Sequence, residues 1–375
     1  MLSALQGLVH WAPLGLPAFL LLITPIVFFH ELGHYAVARA FGVKIETFSI
    51  GFGRELIGWT AKSGTRWKIS MIPLGGYVKF FGDADAASTP DRENARIMRA
   101  KDRAQALQFK PLWQRALVVV AGPVANFILA LVLLTGFFMA VGHVATPLVV
   151  GGVQPGSAAA SAGIRPGDHI IALDGENITS FEELEPLVSI NGGYRMPMRL
   201  VRAGHVLTLW VTPRIVTDHD QFKNRQRVGR LGITSLRNAA VFERLGPLRA
   251  LGAAVDEIHL VLATSLMARR NLFSGDASQL SGVVGIAHLS QQVASVSFLS
   301  LIELAAFISV SVGLINLFPI PLLDGGHLLY YACEAVLGRP LGERAQDVGF
   351  RLGLAFVLGL FLLATWNDLI RLNLF

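Results

Sequence analysis

Four stretches of this chain are apolar for long enough to cross a lipid bilayer, and nothing else in the sequence limits the fold so strongly. A spanning helix needs roughly 20 residues, and backbone in lipid must satisfy its own hydrogen bonds. The stretches run from about Leu14 to Gly42, Trp113 to Val141, Phe298 to Phe318 and Leu352 to Trp366. They predict a polytopic α-helical membrane protein with four spans. Composition agrees: 53% of the residues are hydrophobic and 15% are charged, where a soluble domain has about a quarter charged. A fifth stretch, Ser281 to Val296, is only moderately apolar and reads as re-entrant or surface-lying. The opening residues MLSALQGLVHWAPL contain no Lys or Arg, so the first apolar segment reads as a retained span and not as a cleaved signal.

The basic residues set the expected orientation. Twelve Lys or Arg fall between Val43 and Leu112, among them Arg92 and Arg96, and none precedes the first span. Positive loops stay cytoplasmic, which predicts both termini outside and the long segment between spans two and three outside as well. The formal net charge of +6 is accounted for in this way. No basic stripe interleaves with aromatics, so nucleic acid is not an expected partner. The single cysteine, Cys333, excludes an intramolecular disulfide and reads as a buried small apolar residue.

The outer segment from about Pro147 to Ser235 reads as a small α+β domain. Its run PGSAAASAGIRPGDHIIALDG resembles a PDZ domain of the bacterial, circularly permuted kind. MPMRLVRAGHVLTLWVTPR alternates around Ala203–Gly204 as a hairpin does, and GRLGI, Gly229 to Ile233, resembles the carboxylate-binding loop and strand. The expected organisation is therefore a membrane core in two parts, 1–142 and 298–375, an inserted PDZ-like domain over 147–235, and a connecting amphipathic segment over 236–297. Part of that connection, VFERLGPLRALGAAVDEIHLVLATSLMARRNL, reads as a helix on the outer membrane surface or packed on the domain.

The chemistry is concentrated in HELGH, His30 to His34, near the end of the first span. Ionisable side chains are costly there. Helical residues four apart share a face, so His30 and His34 can present two imidazoles to one metal ion. Glu31, beside the first of them, can reach water at the metal without being a ligand. Zinc takes nitrogen and oxygen ligands and keeps an open position in catalytic sites. A third ligand is supplied by INLFPIPLLDGGHLLYY, Ile315 to Tyr331, where Pro319 and Pro321 break the third span, Asp324 offers an anionic oxygen and Gly325–Gly326 make a turn. Depth links the two segments: His30 lies 16 residues past Leu14 and Asn316 lies 18 past Phe298, about 24 and 27 Å in from the same face.

FFHELGHYAVARAFGVKIETFSIGFG, IPLGGYVKFFGD, AGPVANFILA and NLFPIPLLDGGH together resemble, in order, the signature segments of the site-2 protease family of intramembrane zinc metalloproteases. The resemblance implies zinc held by His30, His34 and Asp324, with catalysis by Glu31. It also implies substrate positioning by Asn126 in the second span; Asn316, one helical turn before Pro319, can by its own chemistry donate a hydrogen bond to the oxyanion. Residues 46–80 resemble the family's membrane-associated β-loop, able to hold an unwound substrate as an added strand. Gly75 and Gly76 would allow close backbone approach there. The implied substrate is a membrane protein cut within or near its transmembrane segment, such as an anti-sigma factor or a remnant signal peptide. The implied location is a bacterial inner membrane, with the PDZ-like domain outside and open to an exported C-terminal peptide.

The sequence departs from the family in carrying one PDZ-like unit where the best-known members have two, and Val283 where proline is common. His327 reads as local structure near the site and not as a fourth ligand. Two other readings compete: a membrane scaffold whose PDZ-like domain binds peptides beside a vestigial metal site, and a membrane metalloprotease of another family with Glu as third ligand. HELGH and Asp324 are both intact, and the proline-broken NLFPIPLLDGG argues against the second.

Overall fold

The computed structural model describes residues 2–83, 97–145, 148–178, 180–219, 225–235, 241–272 and 282–371. Of the features expected from sequence, Arg92, Arg96 and residues 236–240 and 273–281 of the connecting segment lie outside them. In chain order the principal elements are helix α1 (Leu2–Ala40), strands β1 (Ile45–Thr60) and β2 (Arg66–Phe80), and helix α2 (Leu112–Ala140). There follow β3 (His143–Ala145), β4 (Val150–Val153), α3 (Ala158–Ala162), β5 (His169–Leu173), β6 (Glu176–Asn177), α4 (Phe181–Ile190), β7 (Met196–Arg202) and β8 (His205–Val211). The chain continues through β9 (Arg214–His219), β10 (Arg225–Arg230), β11 (Ile233–Ser235), β12 (Val241–Glu243), α5 (Pro247–Leu272), α6 (Val283–Val296), α7 (Phe298–Asn316), α8 (Asp324–Leu337) and α9 (Glu343–Arg371).

Contacts divide the chain into two units, Met1–Leu134 with Ser281–Phe375, and Thr135–Leu280. Among the described residues four helices are long and apolar enough to cross a membrane: Gly15–Ala40, Leu112–Ala140, Phe298–Asn316 and Arg344–Ile370. Each of the four expected spans thus coincides with a helix long and apolar enough to be one. The fourth is longer than its apolar stretch because the helix carries charged residues beyond both ends of it. In the first unit, Leu22 and Ile26 of α1, Leu129 of α2 and Leu301 of α7 form one buried cluster. Small residues let these helices approach: a Cβ added at Gly33 would stand 2.2 Å from the Ala121 carbonyl oxygen, and one at Gly313 would stand 3.1 Å from that of Pro123. The moderately apolar stretch after residue 281 is α6, packed against α1, α7 and α9. Asp368 of α9 caps it, accepting the N–H groups of Gly282 at 3.0 Å and Gly285 at 2.7 Å. Val283 is its first residue.

Strands β1 and β2 fold back on themselves. Residues 45–50 pair with 76–80 on one side and with 66–69 on the other, and 55–60 pair with 66–70. Gly51, Gly53 and Gly75, all with positive φ, make the bends that side-chain-bearing residues resist. Phe48 anchors this sheet beneath the end of α1: it is buried, stacks on Trp67 at 4.2 Å and meets Tyr35 edge-on.

The second unit is built on a four-stranded sheet in the order β6-β5-β7-β8. Alternation along β7 puts Met196, Met198 and Leu200 into a core with Ile170, Leu184 and Val211. The expected hairpin turns at Ala203–Gly204, with φ of 49° and 81°, as a two-residue primed turn requires. Ser157 caps α3, and Gly163 ends it in the left-handed conformation.

Candidate metal centre

HELGH sits on α1, its own glycine Gly33 packed against Ala121 of α2, and three residues of α2 face it at helical spacing. Val118, Gly122 and Asn126 are four apart, so they fall along one stripe. His34 Nδ1 donates to the Val118 carbonyl oxygen at 2.8 Å. Gly122 has no side chain because the imidazoles occupy that space: a Cβ there would stand 2.3 Å from His34 Nε2 and 2.9 Å from His30 Cε1. Asn126 is fully buried, and its side-chain amide meets His30 Nδ1 at 3.2 Å. Ser309 of α7 donates to the Asn126 backbone oxygen at 2.8 Å, which ties α2 to the third span at this level.

Asp324 arrives from the other direction. Helix α7 ends at Asn316, two residues before the run that holds Pro319 and Pro321, and α8 begins at Asp324. The chain between them reverses through Leu322, whose φ of 96° is rare for a bulky residue. The expectation of a turn at Gly325–Gly326 is corrected here: both residues lie in the first turn of α8. Their small size serves packing, since a Cβ at Gly325 would stand 2.1 Å from the Phe318 oxygen and one at Gly326 would stand 2.5 Å from that of Ile320. Gly353 of α9 supports the same loop, with its Cβ position 2.0 Å from the Pro321 oxygen. At its far end α8 is fastened to α2 by an ion pair of Arg115 with Glu334, and Arg115 lies over the Tyr331 ring at 4.9 Å.

The three groups converge. His30 Nε2 and His34 Nε2 are 3.3 Å apart, and Asp324 Oδ2 is 3.2 Å from the first and 3.5 Å from the second. Among the described residues, Asp324 Oδ2 is buried and accepts no hydrogen bond. Zinc bonds of about 2.0–2.1 Å in a tetrahedron require ligand atoms roughly 3.3 Å apart, so the triangle has the size of one tetrahedral face. The donor set fits as well. The carbonyl of Val118 can only accept, so His34 carries its proton on Nδ1 and turns a lone pair inward at Nε2. Lone pairs and a carboxylate oxygen held this close repel one another unless a cation lies between them.

The other expected site residues fall around this group. Glu31 is half-buried, with its carboxylate near the backbone of Val78. A Cβ at Gly76 would stand 2.8 Å from the Ser49 oxygen and 3.1 Å from Glu31 Cγ. That glycine therefore lets β2 approach Glu31. Gly75, with φ of 107°, lies against the Phe52 ring. Asn316 ends α7 half-buried and makes no side-chain hydrogen bond among the described residues. His327 is outside the ligand triangle and meets Tyr330 edge-on at 6.5 Å. Cys333 is a free thiol, half-buried and not fully buried as expected, because α8 turns that face only partly inward. Sequence reasoning missed Val118 and Gly122. The signal for Gly122 was present, a glycine four residues before a lone asparagine in an otherwise apolar span. The part played by Val118 is its backbone carbonyl, which leaves no mark in sequence.

Comparison with known proteins places this geometry in context. The profile of peptidase family M50 matches residues 18–360. The proteins named putative zinc metalloprotease Atu1380, from Agrobacterium fabrum, and R01501, from Rhizobium meliloti, are 46% and 43% identical. The first match covers 94% of both chains, and the second covers 94% of this chain and 96% of the relative. Metalloprotease MmpA of Caulobacter vibrioides is 41% identical over 96% of each. Among solved structures, the PDZ domain of an SdrC-like protein from Listeria monocytogenes aligns with 24% of this chain at 17% identity and a TM-score of 0.20.

Proposed function

Since the chain belongs to peptidase family M50, the site-2 protease family, we propose that it hydrolyses a peptide bond within or near a transmembrane segment of a membrane protein. It is an integral membrane zinc metalloprotease. His30, His34 and Asp324 are the residues that would hold the metal, and the observation that carries this reading is their ligand triangle of 3.2 to 3.5 Å. Zinc bound there would supply Lewis acidity, polarising the scissile carbonyl and making water more acidic.

The remaining work belongs to the chain itself. Glu31, beside the first histidine and close to β2, takes a proton from the attacking water and returns it to the leaving amine. Asn316, at the end of α7, donates a hydrogen bond to the developing oxyanion. A peptide bond within a helix hides its carbonyl, so the substrate must unwind before cleavage. The β1–β2 sheet offers residues 76–80 as an edge to which an unwound segment adds as a strand. Gly75 and Gly76 keep that edge close to Glu31. Both termini lie outside, the β1–β2 sheet and the metal centre lie toward the cytoplasm, and the PDZ-like unit stands outside a bacterial inner membrane and receives an exported C-terminus. Anti-sigma factors and remnant signal peptides are substrates of the expected kind.

The test is cleavage of a single-span substrate by the purified protein in detergent or bilayers, comparing wild type with Glu31→Gln and with chelator-treated enzyme. The expected result is loss of cleavage on chelation, and loss in Glu31→Gln with zinc content unchanged. Cleavage that survives Glu31→Gln would refute the assigned base. A protein that holds no zinc and cleaves nothing would support the scaffold reading instead.

A further inference from the structure

The two histidines are oriented by groups on the same helix, and only one of the two arrangements is complete. His34 Nδ1 donates to a backbone carbonyl at 2.8 Å. His30 Nδ1 stands 3.2 Å from Asn126 Nδ2, while Oδ1 of the same amide is buried without a hydrogen bond among the described residues. An amide nitrogen can only donate. With it opposite Nδ1, the proton of a neutral His30 would lie on Nε2, pointing at Asp324 Oδ2 and His34 Nε2, and no lone pair would face the metal. A half-turn of the amide about Cβ–Cγ places Oδ1 where Nδ2 stands and provides the carbonyl that a ligand histidine ordinarily uses. It also gives the orphaned oxygen a donor.

We infer that Asn126 is a positioning residue: its side-chain oxygen accepts the Nδ1 proton of His30 and so commits His30 Nε2 to the metal. This rests on His30, His34 and Asp324 being the zinc set, and it assigns Asn126 to a ligand instead of to substrate. The burial of Asn126, its place four residues beyond Gly122, and the Ser309 bond to its backbone oxygen hold the amide at the level of the ring. The pairing makes α2 orient both imidazoles of α1, one through a backbone oxygen and one through a side-chain oxygen.

The test is zinc affinity of the full-length protein in detergent, read by competition with a chromophoric chelator, without any substrate. Asn126→Leu removes the acceptor, and its affinity should fall about 10- to 100-fold. Asn126→Asp keeps an oxygen in place and cannot donate, so it should bind zinc within about threefold of wild type or more tightly. Wild-type affinity in Asn126→Leu would overturn the inference. So would a loss in Asn126→Asp equal to that in Asn126→Leu, since the amide N–H would then be the working group. If Asn126→Leu does not fold, Asn126→Ala against Asn126→Asp carries the same comparison. His34→Ala separates the two levels of argument: wild-type zinc binding in that variant would refute the ligand set itself.

Discussion

Adding one methyl group at Gly122 should empty the metal site. The Cβ of Gly122→Ala would lie 2.3 Å from His34 Nε2 and 2.5 Å from His34 Cε1. Ordinary contact begins near 3.4 Å, so the ring must retreat by about 3.4 − 2.3 = 1.1 Å. It cannot do so by letting the helices separate cheaply, because His34 Nδ1 is bonded to α2 at Val118 and Gly33 already lies against Ala121. Metal–ligand distances tolerate about 0.2 Å, several times less than the required shift. Zinc in the purified variant should fall to about a tenth of wild type or below, and cleavage of a single-span substrate should fall at least about 100-fold, as a 1 Å misplacement can cost. The fold should survive, since overpacking costs about 1–3 kcal/mol. Zinc is read by elemental analysis and the fold by circular dichroism and melting. Gly136→Ala is the control on the same helix, because a Cβ there meets nothing within 4 Å. A Gly122→Ala protein with a full equivalent of zinc and normal cleavage would refute the reasoning.

Two further outcomes follow from contacts elsewhere. Arg115→Ala leaves the Glu334 carboxylate in a largely buried site without its ion-pair partner, and should cost about 3 kcal/mol; adding Glu334→Gln should recover part of that loss in a double-mutant cycle on melting. In the second unit Asp168 is buried, which alone would raise its pKa. The guanidinium of Arg202 and the backbone N–H of Arg165 outweigh that effect and hold the carboxyl below the usual aspartate range. Because the folded value lies below the unfolded one, the stabilisation is fully present above about pH 4 and is lost as pH falls through the folded pKa. Hydrogen exchange of the β5 and β7 amides in the intact protein should be faster in Asp168→Asn than in wild type at pH 7, with the difference closing on acidification; a constant difference would contradict the linkage.

The spans were legible because burial in lipid forces continuous apolar runs, and their ends were less so because charged residues continue a helix into water, as at both ends of α9. The pairing of His30 with His34 could be read from helical spacing alone. Asp324 could be joined to them by depth, since two polar clusters within one bilayer have few levels to occupy. The glycines of LDGG were misread as a turn: glycine permits a bend, but here it permits contact between α8 and the loop before it, and sequence does not distinguish the two uses. The stripe of Val118, Gly122 and Asn126 depends on which face of α2 meets α1, a tertiary fact carried in part by a backbone oxygen. Asn126 was noticed, but its neighbour His30 became apparent only when the helices were set side by side.

On the proposed ligand set, the position of Asp324 in the chain also has a consequence in time. Asp324 follows His34 by 324 − 34 = 290 positions, and a ribosome adding about 5–20 residues per second needs roughly 15 to 60 s to make that length. Throughout that interval the nascent chain has both histidines and Glu31 in the membrane, and the α2 stripe from early in the interval, but no carboxylate to close the metal face. With Asp324 as the third ligand, a chain that stalls before α8 would be an inert membrane protein and not a loose protease, so the order of the sequence itself would delay activity until α8 has been made.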